Sequence, residues 1–186
     1  MEEKKKFLVV VDCQNDFITG ALANPLADAC VPAIVERIKQ AHENGEQVMF
    51  THDTHMVDYL NTLEGQKLPV EHCIAYTKGW EFDSRIKRVE KECDKYFNKS
   101  TFGSFDVGEY IEDVTDYEYN TLKDKDIEIE LCGFVTSICV AANAIILRAM
   151  FPNSKITINK NLTADVSEVA KSAALEVMKC QQIDII

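Results

Sequence analysis

The sequence predicts an α/β fold, a parallel sheet with helices on both faces. Two observations carry that expectation. Short apolar, β-branched runs alternate along the chain with segments whose apolar residues recur at helical spacing. The first run, FLVVV at residues 7–11, is apolar at consecutive positions, the pattern of a strand covered on both faces. No repeat, low-complexity tract or linker interrupts the alternation, and 186 residues suit one domain, residues 1–186.

Each element follows in order. The first strand is expected over residues 6–12. Val31, Ile34, Val35, Ile38 and Ala41 then fall on one helical face, and Gly45 stands just past the helix end, where glycine suits the left-handed turn. EQVMFTH, residues 46–52, reads as the second strand. Residues 82–92 read as a helix leading into a short strand at 95–98. The acidic segment 106–125 reads as helical in part. IEIELC, 127–132, is a strand, and GFVTSICVAANAIILRAM, 133–150, is a turn entering an apolar helix. KITIN, 155–159, is a strand. A helix follows over 166–179 with Asp165 or Ser167 as its N-cap, and IDII forms a last strand.

Bulk properties exclude several classes. A formal net charge of -11 repels phosphate backbones, so no nucleic-acid partner is expected. The apolar runs are too short to span a bilayer, and MEEKKKF leads straight into a strand, so neither a membrane span nor a signal peptide is expected. The seven cysteines are odd in number and show no C-x-x-C spacing, which fits reduced thiols and a cytoplasmic location.

In parallel sheets, ligands bind beyond the C-terminal strand ends, where the winding reverses. The polar residues at those ends are therefore the candidates for chemistry. Asp12 ends the first strand. An acid there is also ordinary turn chemistry, and the D-x-D pattern of haloacid-dehalogenase-like phosphatases fits poorly because the next acid is Asp16. THDTH ends the second strand and sets Asp53 and His55 two residues apart, on one face of an extended chain. A carboxylate and an imidazole so placed suit a divalent metal. Glu64 and His72 can join them if the connection folds back; a polar loop with surface histidines is the alternative. His42 sits on the polar side of a helix end and is assigned no function. Lys99 follows the third strand among Phe97, Phe102 and Phe105. Cys139 falls in the first turn of the helix after the fourth strand. It is either core filler or a reactive thiol whose pKa is lowered by the helix N-terminus and a nearby lysine. The alternation brings Asp12, Asp53, His55, Lys99 and Cys139 to one edge of the sheet.

DCQNDF, the lysine in NKSTFGSF, and GFVTSICV, in this order and at successive strand ends, resemble the isochorismatase-like cysteine hydrolases, whose amide-cleaving members include nicotinamidases. The resemblance runs from Phe7 to the C-terminus. It implies a three-layer Rossmann-like fold with a six-stranded parallel sheet, a triad of Asp12, Lys99 and Cys139, and a cis peptide at Phe134–Val135. It also implies an oxyanion hole from the backbone N–H groups of Val135 and Cys139, and a substrate pocket including Phe17, Leu68 and Phe134. The implied activity is cleavage of a small carboxamide to acid and ammonia through a thioester, foremost nicotinamide to nicotinate. One divalent ion, zinc foremost and iron or manganese otherwise, would be held by Asp53, His55, Glu64 and His72. A homo-oligomer is also implied. Leu68 departs from the aromatic residue usual at that place. Cys139 argues against the vinyl-ether cleavage of isochorismatases proper, which lack this cysteine. The alternatives are a carbamoyl or ureido amide hydrolase, which keeps the triad without the THDTH-type metal motif, and a non-catalytic small-molecule binder.

Overall fold

The protein, analysed as a computed structural model, is described over residues 4–117 and 122–186. Six parallel strands form one sheet in the order β3-β2-β1-β4-β5-β6. They are β1 (Lys5–Val11), β2 (Gln47–Asp53), β3 (Lys95–Lys99), β4 (Ile127–Phe134), β5 (Lys155–Ala164) and β6 (Asp184–Ile185). The chain winds from β1 outward to β3, then returns to lay β4 on the other side of β1. The reversal therefore lies between β1 and β4, and a crevice opens beyond their C-terminal ends.

The consecutive apolar run of β1 serves two layers. Phe7, Val9 and Val11 join one buried cluster with Val107, Ile111, Ala144, Leu147 and Met178, while Leu8 and Val10 join another with Val31, Ile34, Ile38 and Ala41. The first layer is covered by α5 (Phe105–Thr115), α6 (Ala141–Met150) and α7 (Glu168–Cys180), the second by α2 (Pro25–Glu43). Ile34 and Ile38 are fully buried, and each such side chain contributes about 1.5–3 kcal/mol.

The strands lie where the apolar runs place them, with β5 extended to Ala164. Helix α2 begins earlier than its apolar stripe, because Asn24 caps it by accepting from the Leu26 N–H and Pro25 opens it. Gly45 adopts φ +69 just beyond its end. The expected helix at 82–92 is confined to α4 (Ser84–Lys87), capped by Asp83. Ser167, rather than Asp165, is the N-cap of α7 and accepts from Ala170 N–H. Two short helices, α1 (Asn15–Ile18) and α3 (Leu63–Lys67), have no counterpart in the sequence-based reading. The acidic segment 106–125 carries α5; its residues 118–121 lie outside the described residues, as do residues 1–3 of the N-terminal MEEKKKF. None of the seven cysteines is in a disulfide. Among the described residues no helix is long and apolar enough to cross a membrane.

Candidate active site

The sheet register builds the site. Asp53 ends β2 directly beside Lys99, the last residue of β3, so both side chains leave the same face. Thr51 lies on that face two residues before Asp53 and pairs with Val11 of β1. After Val11 the chain turns through Asp12 at φ +47, a left-handed conformation that few residues other than glycine adopt but that Asp tolerates. The Asp12 carboxylate is buried in the crevice. Its Oδ2 lies 2.6 Å from Lys99 Nζ, and its Oδ1 accepts from Thr51 Oγ1 at 2.6 Å.

Cys139 reaches the same point from β4. Gly133, at φ +108, lies against Val11, where a Cβ would run into the β1 backbone. The Phe134–Val135 peptide is cis, as expected. A π-type turn, Thr136–Val140, then leads into α6 and carries Cys139, whose Sγ is 3.5 Å from Lys99 Nζ. Asp12, Lys99 and Cys139, separated widely along the chain, thus meet in one buried cluster.

The electrostatics differ from expectation at the thiol. Burial pushes the Cys139 thiol well above its ordinary value, and the Asp12 and Asp53 carboxylates push the same way; Lys99 opposes them without prevailing. Burial likewise raises Asp12 despite the Lys99 charge. Lys99 would be lowered by burial, but Asp12, Cys139 and Asp53 hold it well above the usual lysine range. The crevice thus favours the protonated form of the thiol, and the Asp12 carboxylate beside it is the base at hand.

Beside this cluster stands the set of residues expected to bind metal. The connection after β2 does fold back: His55 N–H donates to Cys73 O at 3.0 Å and His55 O accepts from Ala75 at 2.8 Å. That pairing brings His72 against His55. Ligand atoms of Asp53, His55 and His72 lie within 4.8 Å of one another. Asp53 Oδ2 is 3.1 Å from His55 Nε2 and 3.4 Å from His72 Nε2, and Glu64 Oε1 lies 3.7 and 3.8 Å from the same two nitrogens.

The donor set fits a divalent cation on three grounds. His55 Nε2 is buried with no aligned hydrogen-bond partner. His72 Nδ1 bonds Val70 O at 2.8 Å, which fixes the tautomer and leaves the Nε2 lone pair facing the set. Finally, with Asp12 ionised, the carboxylates of Asp12, Asp53 and Glu64 exceed the Lys99 ammonium by two negative charges. Asp53 belongs to both groups, since its Oδ1 is 3.3 Å from Lys99 Nζ. Burial alone would raise its pKa, but His55, His72 and Lys99 hold it well below the usual carboxylate range.

A cavity of about 480 Å³ opens over Cys139, Asp53 and His72. Phe17 and Leu68 line it, as does Val135. Phe134 does not. It is 1% exposed and packs with Leu8, Val10 and Cys132 in the α2-side core, because alternation along β4 turns it away from the crevice. Phe102 and Ile138 line the cavity in its stead.

Sequence reasoning missed the residues that hold these groups in place. Gln14 is fully buried. Its Oε1 accepts from Asp53 N–H and its Nε2 donates to Asp53 O, each at 2.8 Å, with a further 2.8 Å bond to Trp80 O. The β1–β2 ladder ends as Asp12 turns, and the Gln14 amide continues it as a side-chain substitute. Asp16 accepts from Cys73 N–H at 2.7 Å and Ala21 N–H at 2.9 Å, fixing the His72 loop. Asn143 donates to Cys139 O at 2.8 Å and accepts from Ser104 N–H at 3.1 Å. None has a periodic signature; the signal for Gln14 was only an amide two residues past a strand end. Gln14→Ala should cost about 2–3 kcal/mol in thermal or chemical unfolding by stranding the Asp53 peptide groups. It should also weaken metal binding at least about tenfold in a chelator-competition titration; unchanged affinity would refute the positioning role.

Two histidines stand apart. His42 is not solvated but bonds buried Asp94 at 2.8 Å. His52 faces away from the metal set and stacks on Phe82 and Trp80 at 3.8 and 4.4 Å between ring centroids. Burial, with a smaller contribution from Lys87, lowers its pKa from 6.5 to about 4. Between these values the unfolded chain binds the proton and the folded protein does not, so stability falls as the pH drops from about 6.5 to about 4. This group's share of that loss is about 3 kcal/mol. His52→Phe keeps the stack and should flatten the dependence of melting temperature on pH across this window; an unaltered slope would show that other groups set it.

A family model described as Isochorismatase domain matches residues 6–186. No curated protein matches the chain. Among solved structures, a pyrazinamidase of Pyrococcus horikoshii in complex with zinc is 24% identical, with 98% of each chain covered and a TM-score of 0.80. A nicotinamidase from Bacillus subtilis is 26% identical over 97% of this chain and 98% of that one, with a TM-score of 0.79. An N-carbamoylsarcosine amidase from Thermoplasma acidophilum is 22% identical over 97% and 95%, with a TM-score of 0.75.

Proposed function

Because this chain belongs to the isochorismatase family of hydrolases, we propose that it is a cysteine amidohydrolase that converts a small primary carboxamide to acid and ammonia, nicotinamide foremost. The observation that carries the reading is the meeting of buried Asp12 and Lys99 with the Cys139 sulfur, which lines a cavity together with Asp53 and His72 of the grouped donor set. The bacterial nicotinamidase and the zinc-bound archaeal pyrazinamidase among its structural neighbours support it.

In this reading Asp12 takes the proton of the Cys139 thiol as the sulfur attacks the carboxamide carbon. Lys99 balances the negative charge that moves between Asp12 and the sulfur. The carbonyl oxygen becomes an oxyanion held by the N–H groups of Val135 and Cys139, a contact worth about 2.7–4 kcal/mol per donor. Asp12 returns its proton to the nitrogen, the C–N bond breaks, and ammonia leaves a thioester. Asp12 then takes a proton from water, which attacks the thioester carbon; the C–S bond breaks and the acid departs as the thiol is re-formed. A divalent ion held by Asp53, His55, Glu64 and His72 would supply a Lewis-acid contact for a pyridine nitrogen. Phe17 packs its ring edge-on to His72, 5.7 Å between centroids, and forms an aromatic wall for a flat substrate.

Ammonia release from nicotinamide, pyrazinamide, a ureido acid and an aliphatic amide tests the proposal. The expected order puts the two ring carboxamides first. Release from the ureido acid alone would replace nicotinamide by a carbamoyl substrate, and no release from any of them would reject the amidase reading.

A further inference from the structure

The catalytic cavity does not end at its mouth. A groove of about 700 Å³ adjoins it and shares Glu64, Leu68, Phe102 and Ile138 with it. These residues do not form a sealed partition. Leu68, Phe102 and Ile138 are 38%, 44% and 41% exposed, as residues of a low sill between two open spaces are. Beyond the sill the groove is floored by buried Tyr59 and walled by Met56 and Leu63, both more than half exposed.

The sill is also held in place. Tyr59 Oη donates to Leu68 O at 3.0 Å, and Asn143 Nδ2 donates to Phe102 O at 3.3 Å. Both anchoring side chains belong to residues with no exposed surface, and Asn143 is the same residue that bonds the Cys139 carbonyl. One of the two anchors of the sill, Asn143, therefore also holds the nucleophile turn.

We propose that this groove is a subsite for the apolar tail of the substrate, so that the chain favours primary carboxamides whose acyl part extends beyond one ring. The occupant is argued from continuity. Cys139, Asp53 and His72 line the catalytic cavity, and Leu68, Phe102 and Ile138 are shared with the groove, so an acyl group whose carboxamide is at Cys139 reaches the groove by passing over them. A single ring occupies only part of the cavity of about 480 Å³, so the groove receives that part of a longer acyl group which passes the sill and lies along Tyr59 and Leu63. The proposal rests on the reading that the carboxamide is placed at Cys139.

Benzamide and 4-butylbenzamide differ only in an apolar tail. Their binding to the zinc-loaded Cys139→Ala protein, measured by calorimetry, and their kcat/KM with the wild type form the test. The tail should tighten binding about tenfold, the return for partly burying four carbons. Leu63→Asp, and Thr101→Trp, which narrows the groove, should each remove most of that gain while benzamide binding stays unchanged. Equal affinity for the two amides, or a gain that survives in both variants, overturns the subsite. A concentration-dependent sedimentation change abolished by Leu63→Asp, without tail preference, assigns the groove to a second copy and also overturns it. Tail-dependent binding without cleavage of any amide keeps the subsite and rejects the amidase; cleavage of nicotinamide without tail-dependent binding does the reverse.

Discussion

Replacing Cys139 with alanine should reduce ammonia release by at least about 10⁴-fold, because among the described residues no other group lining the cavity offers a comparable nucleophile. The folded protein should survive the change. The side chain is small, it sits at the edge of the core at 7% exposure, and Lys99 keeps both Asp12 and Asp53 as partners. Unfolding stability should shift by less than about 1.5 kcal/mol, and metal content should be unchanged because Cys139 is not among the grouped donor residues. Turnover, melting temperature and bound metal, measured on one preparation, separate loss of chemistry from loss of structure. Activity above a hundredth of wild type in a well-folded variant would remove the sulfur from the reaction and return Cys139 to the role of core filler.

Asp53→Asn should have the second-largest effect, through two routes. The carboxylate turns one oxygen toward Lys99 and the other toward His55 and His72. Asparagine keeps the shape but removes the charge, so metal affinity should fall at least about a hundredfold. Lys99 would retain Asp12 as its one carboxylate partner at this point. The change in charge around Lys99 and Cys139 is separate from the metal, and the comparison with chelator-treated wild type isolates it. The variant should be less active toward nicotinamide than stripped wild type. Equal activity would show that Asp53 acts through metal binding alone, and undiminished metal affinity would show that it is not a ligand.

The site was legible where chemistry coincides with strand ends. Asp12, Asp53 and Lys99 each close or follow a strand, so the α/β alternation alone brings them to one edge. His55 and His72 meet because the connection between them pairs with itself, a contact that two-residue spacing does not reveal. The short helices α1 and α3, of four and five residues, are too brief to show a period. Phe134 was misplaced although alternation from Ile129 and Leu131 on one layer to Cys132 and Phe134 on the other marks its direction. The direction of the Cys139 shift was not legible either. A helix start and a lysine are visible in the sequence, whereas burial beside two carboxylates is a property of the assembled crevice. Gln14 and Asn143 bond main-chain groups, and nothing in their sequence neighbourhood encodes those partners.

Gly133 is the stitch between the two halves of the sheet. The left-handed turn at this residue lets β4 lie flush against β1 at the one seam across which Asp12 and the Cys139 turn face each other. Any side chain there would act as a wedge, parting the acid from the sulfur without altering either. At position 133 even a single methyl group has nowhere to go.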